Sequence, residues 1–143
     1  MIIANIPVTV PTAPNVTMCD GSSTEVLIPG TIIKTIYYPN GYANHEDCHI
    51  TITFSDSPTV LIEFNQHFGI EYHSRCAYDY LEARDGPSTD SPLIGSKICG
   101  TTGAPAAIQS TGNSMTLVFH TDGSVTKVGF EIAAIPGKYR HCK

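Results

Sequence analysis

Cys48-His49-Ile50-Thr51-Ile52-Thr53-Phe54 alternates without a break. Cys48, Ile50, Ile52 and Phe54 fall on one face, and His49, Thr51 and Thr53 on the other. A period of two over seven residues is the signature of a half-buried strand. Working outward, Ser55-Asp56-Ser57-Pro58 turns the chain, and Val60, Ile62 and Phe64 then line the core face of the next strand. Met115, Leu117 and Phe119 repeat the pattern, as do Phe130, Ile132 and Ala134. Upstream, residues 25–28 and 32–37 read as strands broken by Pro29-Gly30, and Tyr38-Pro39-Asn40-Gly41 is a strong turn signal. Residues 78–84 read as another strand, closed by Asp85-Gly86-Pro87. No segment sustains an apolar stripe of helical period; the nearest, residues 104–109, is short and contains Pro105. Roughly eight to ten short strands at a spacing of about 8–12 residues predict an all-β sandwich or jelly roll. Two stacked sheets are the physical minimum, since a single sheet cannot bury both of its faces.

A chain of 143 residues fits one domain with a sizeable core. Apolar residues make up 41%, enough for a globular fold, while charged residues are only 15%. The net charge of −5 disfavours a nucleic-acid backbone and an anionic membrane as partners. It leaves room for a cationic partner or a bound metal. No apolar run approaches the length of a membrane span.

The cysteines are Cys19, Cys48, Cys76, Cys99 and Cys142, with no C-x-x-C pair to suggest zinc or redox chemistry. Their wide spacing reads as two disulfides plus one leftover, and therefore as an oxidising compartment. Four cysteines allow three connectivities, of which pairing neighbours is the simplest. Cys142 is then unpaired within the domain, either free or bridging to another chain or domain. Asn15-Val16-Thr17 is an N-glycosylation sequon, as in a secreted surface segment. Residues 1–18, with Pro7, Pro11 and Pro14, read as a leader that either lies along the domain or is mobile, residues 19–136 as the domain, and residues 137–143 as a tail. The opening lacks the basic flank of a signal peptide, so Met1 is taken as an added start with the native signal removed.

The motifs together resemble a CUB domain. Cys19, Tyr38-Pro39, Tyr42 and Cys48 are similar to the family's opening. Ile62-Glu63-Phe64, Phe68, Glu71 and Cys76-Ala77-Tyr78-Asp79-Tyr80-Leu81 carry the strongest likeness, followed by Asp85-Gly86, Ile94-Gly95 and Cys99-Gly100. Ser110-Thr111-Gly112-Asn113-Ser114-Met115, Phe119-His120-Thr121-Asp122-Gly123-Ser124 and Gly129-Phe130 complete it. His49 stands where the family often has Trp, and Tyr37-Tyr38-Pro39 replaces an S-P-x-Y-P turn. The resemblance implies a jelly roll of two antiparallel sheets and disulfides Cys19–Cys48 and Cys76–Cys99.

It also implies a calcium site. The matching positions are Glu71, Asp79 and Asp122, with the main-chain carbonyl of Ser124. Calcium wants six to eight oxygens, and three carboxylates this far apart in sequence meet only if separate loops converge at one end of a sandwich. Val125 stands where the family often has Asn, so one oxygen is missing and weak binding is expected, about 10⁻⁴–10⁻³ M. By resemblance, acidic ligands also accept a Lys or Arg of an extracellular protein partner, with Tyr72 and Tyr78 packing beside its stem. The alternative is a stand-alone, spermadhesin-like adhesion or glycan-binding protein without a calcium requirement. The chain is expected not to be an enzyme. It has no G-x-S-x-G elbow and no H-E-x-x-H spacing, and a triad of His67, Asp79 and a serine lacks a recognisable nucleophile setting.

Overall fold

The computed structural model describes residues 14–137, so Cys142 and most of the tail lie outside the described residues. Nine strands are described: β1 (Asn15–Met18), β2 (Glu25–Val26), β3 (Thr31–Thr35), β4 (Asp47–Thr53), β5 (Thr59–Phe64), β6 (Tyr80–Arg84), β7 (Ile108–Gln109), β8 (Ser114–His120) and β9 (Glu131–Gly137). They form two sheets, ordered β1-β3-β9-β5-β7 and β2-β4-β8-β6. The pairs are antiparallel except β1 with β3 and β2 with β4, which are parallel edge pairs. The parallel pairs follow from the path of the chain, which alternates between the sheets from β1 to β4 and returns to each in the same direction.

The alternation predicted the core. Ile50, Ile52 and Phe54 face Met115, Leu117 and Phe119 of the same sheet and Val60, Ile62, Phe130, Ile132 and Ala134 opposite, all buried. Full burial of such side chains contributes about 1.5–3 kcal/mol each. Phe119 sits at the centre, edge-to-face with Tyr42 at 5.3 Å and with Phe130 at 5.2 Å.

Cys19 pairs with Cys48 and Cys76 with Cys99, at Cα separations of 5.3 and 5.6 Å. The first bridge joins the end of β1 in one sheet to β4 in the other, so it ties the layers together. By loop closure each is worth about 3 kcal/mol.

Several elements differ from the sequence reading. Asn15–Met18, part of the segment read as a leader, forms β1 against β3, with Met18 buried in the core. Residues 104–109 carry no helix, as the sequence reading has it, but Ile108–Gln109 forms a short strand against β5 that the reading does not assign. The strand expected over residues 32–37 ends at Thr35, because Tyr37 takes a left-handed φ of 62° and the amide of Tyr38 turns back to the Thr35 carbonyl. The strand expected over residues 25–28 stops at Val26, leaving Leu27 and Ile28 exposed. Tyr78 and Asp79 precede β6 rather than belonging to it.

β3, β5 and β8 end at the same pole of the sandwich, and β4, β6 and β9 begin there, as the strand registers show. Three loops therefore crowd together: residues 36–46, 65–79 and 121–130.

Candidate metal centre

Each crowded loop supplies part of one site. Asp79 comes just before β6 and is fully buried. Its Oδ1 accepts the Asp122 amide at 2.8 Å, and its Oδ2 accepts the Tyr42 hydroxyl at 2.5 Å. That same hydroxyl oxygen accepts the Glu71 amide at 3.0 Å. One phenol thus binds together the backbone of the Glu71 segment and the carboxylate of Asp79. Asp122 is held from the other side: its carbonyl accepts the His45 amide at 2.8 Å. The neighbouring Thr121 is buried, donating to the Ala43 carbonyl and accepting the Glu46 amide.

Carboxylate oxygens of Glu71, Asp79 and Asp122 lie within 4.8 Å of one another. Calcium–oxygen bonds of 2.3–2.6 Å place opposite ligands at most roughly 4.6–5.2 Å apart, so the triangle is the size of a calcium coordination shell. An all-oxygen donor set suits a hard cation and not zinc. Glu71 Oε1 is buried without a hydrogen-bond partner. A buried carboxylate oxygen with nothing to accept is costly unless a cation or water completes it.

The electrostatics agree. Burial pushes the Glu71 carboxyl above the usual carboxylate range, and the charges of Asp79 and Asp122 add to the rise, with Lys127 opposing it. Burial also raises Asp79, while its bonds from Tyr42 and the Asp122 amide work the other way. Burial and the neighbouring Asp79 drive the Tyr42 hydroxyl far above its ordinary value, so it stays a donor. Converging carboxylates that resist ionisation together are what a bound cation relieves.

Of the other sequence-predicted residues, Ser124, Tyr72 and Tyr78 lie on the same loops as the acids, and Asn15 lies at the other end of the sandwich. Ser124 is exposed, and its amide reaches Asp122 Oδ1 at 3.3 Å. Val125 is 51% exposed and holds a φ of 62°. Such a backbone suits Gly or Asn and strains a β-branched residue. Tyr72 and Tyr78, 67% and 45% exposed, each adjoin an acid of the triangle in the chain. The Tyr78 ring meets His73 edge-on at 4.5 Å, and His73 Nδ1 accepts the amides of Arg75 and Ala77, which shapes the loop bearing Cys76. Asn15 is exposed at the start of β1. Asp79, weighed with His67 as part of a triad, has both oxygens engaged by Tyr42 and Asp122. Tyr42 and Thr121 carry no functional role in the sequence reading. Tyr42 sits in a loop between a turn and a cysteine, where no periodicity reveals that its ring is buried and its hydroxyl shared.

Comparison with known proteins gives the family. The chain is 47% identical over 98 residues to human Tolloid-like protein 1, covering 68% of this chain and 9% of that protein. It is 38% identical over 95 residues to dog cubilin, covering 66% of this chain and 3% of that protein. The chain therefore spans a small fraction of the relatives it matches. Among solved structures, the MASP-1 CUB2 domain bound to Ca2+ superposes with a TM-score of 0.67 at 25% identity, covering 78% of this chain and 96% of that one. The extracellular region of zebrafish Gpr126/Adgrg6 gives a TM-score of 0.67 at 30% identity, covering 87% of this chain and 15% of that one. The family model for the CUB domain matches residues 19–133, and the chain is a member of the CUB family.

Proposed function

We propose that this domain is an extracellular protein-interaction module whose binding edge is organised by calcium and takes a Lys or Arg side chain of its partner. The observation that carries the reading is the convergence of Glu71, Asp79 and Asp122 carboxylates within 4.8 Å, on loops remote in sequence. Calcium in that triangle would supply the positive charge the three acids lack and hold the loops in register. The Ser124 carbonyl is assigned as a further ligand, and water would fill the remaining positions. Carboxylate lone pairs directed outward would accept a charge-assisted bond from an ammonium or guanidinium group. The exposed rings of Tyr72 and Tyr78 would flank its aliphatic stem. A MASP-1 relative of the same fold was crystallised with Ca2+, which supports the choice of metal. Two disulfides support an extracellular setting, and the exposed Asn15 sequon suits glycosylation there.

The test is a peptide carrying one lysine between Gly and Ser residues, with a norleucine peptide as its control, titrated by NMR. Binding of the lysine peptide that needs calcium and is lost in Asp122→Ala is the expected result. Equal binding in excess chelator would overturn the calcium-held site.

A further inference from the structure

A concavity is lined by residues of the same loops that carry Glu71 and Asp122. Its volume is about 310 Å³, and Gln66, His67, Phe68, Gly69, Thr101 and Lys127 contribute to its wall. Phe68 and Gly69 are buried and form the floor, while the four polar residues are exposed around the rim. Gly69 keeps the floor open: a methyl there would stand 3.2 Å from Val128 Cγ2 and 3.4 Å from Lys127 Cβ. Among the described residues, none of the four rim side chains makes an internal hydrogen bond or ion pair. They present an ammonium, an amide, a hydroxyl and an imidazole, all able to donate.

The position of this pocket is set by the backbone. Gly69 and Ile70 are held extended by bonds to Gly129 and Gly100, each amide donating at 2.9 Å. Residues two apart on extended backbone share a face and lie about 7 Å apart. Glu71 follows Gly69 by two residues, so continued extended backbone would set its carboxylate on the pocket's side at about that spacing. Lys127, on the pocket rim, is near enough to Glu71 to favour its charged form. That arrangement would put a negative and a positive subsite side by side, about one strand repeat apart.

Resting on the basic-residue reading above, we propose that the partner is read at two points: a basic side chain at the acidic cluster, and an Asp or Glu two positions away in an extended segment, seated in the Lys127 pocket. An extended partner has the same repeat of about 7 Å between same-face side chains, so both ends reach without bending. A carboxylate accepts from the ammonium, amide and hydroxyl together, whereas a second basic residue would meet Lys127.

The test uses two peptides with a central lysine: Gly-Glu-Ser-Lys-Ser-Glu-Gly, and the same peptide with Gln for both Glu, capped at both ends. Affinities are measured at saturating calcium and physiological salt for the unmodified domain and for Lys127→Gln. The Glu peptide is expected to bind about fivefold tighter to the unmodified domain, the upper range for a solvent-accessible ion pair. In Lys127→Gln that preference falls to about one while the Gln peptide binds as before. Equal binding of the two peptides to the unmodified domain, or a preference that survives Lys127→Gln, overturns the two-point reading and leaves the basic-residue site standing. No calcium-dependent binding of either peptide overturns both.

Discussion

Replacing Tyr42 by Phe deletes one oxygen and nothing else of consequence. The ring is 3% exposed and keeps its edge-to-face contact with Phe119. The lost hydroxyl donates to the buried Asp79 carboxylate and accepts the Glu71 amide. A hydrogen bond to a charged group contributes about 1.5–3 kcal/mol, and the groups left behind lose their partner as well. In the absence of calcium we expect Tyr42→Phe to lose about 2 kcal/mol, a fall in Tm on the order of 5–10 °C for a domain of this size. Asp79 also loses a bond that favours its charged form, so its carboxyl rises further. Protons then compete better with the metal, and calcium affinity falls more at pH 6 than at pH 8. Urea denaturation in chelator measures the first effect, and calcium titration at the two pH values measures the second. A loss below about 0.5 kcal/mol with unchanged calcium affinity would refute the idea that this hydroxyl assembles the site.

Two further outcomes follow from the same geometry. Without calcium, Glu71 and Asp79 hold protons in the folded state that the unfolded chain has already released, since their folded values are raised. The folded state then binds more protons, so stability declines as pH rises from about 4 through the raised values and levels off above them. Saturating calcium removes that decline and Asp79→Asn flattens it; denaturation midpoints between pH 4 and 8 with and without the metal provide the check. Val125→Asn should raise metal-free stability by about 1 kcal/mol, because an exposed β-branched residue leaves a left-handed backbone. The Asn oxygen should also tighten calcium several-fold, while Val125→Gly gives the backbone relief alone; calorimetric titration separates the two effects.

Period-two patterning revealed most of the sandwich because inward and outward residues alternate wherever one face of a strand is buried. Ile50, Ile52, Leu117 and Ile132 could be assigned to the core without any partner strand. β1 escaped notice because only Val16 and Met18 of its four residues carry an apolar signal, amid prolines. β7 escaped because two residues have no period. The acidic triangle was legible only through the family likeness, since Glu71, Asp79 and Asp122 share no local spacing. Tyr42 and Thr121 were hidden for a different reason. Their roles are hydrogen bonds between loops, and such bonds depend on where chain segments 29 or more residues apart come to rest. The strain at Val125 was also invisible in sequence, where the residue appears only as a missing oxygen.

Thermal unfolding with and without 10 mM calcium, on the unmodified domain and on Asp122→Ala, addresses the acidic triangle most directly. With a Kd of about 10⁻⁴–10⁻³ M, binding to the folded state alone adds about 1.4–2.7 kcal/mol, or a rise in Tm of roughly 4–10 °C. The account predicts that rise in the unmodified domain and its loss in Asp122→Ala. A Tm indifferent to calcium in a properly folded, disulfide-bonded domain, or a rise that persists in Asp122→Ala, would contradict it.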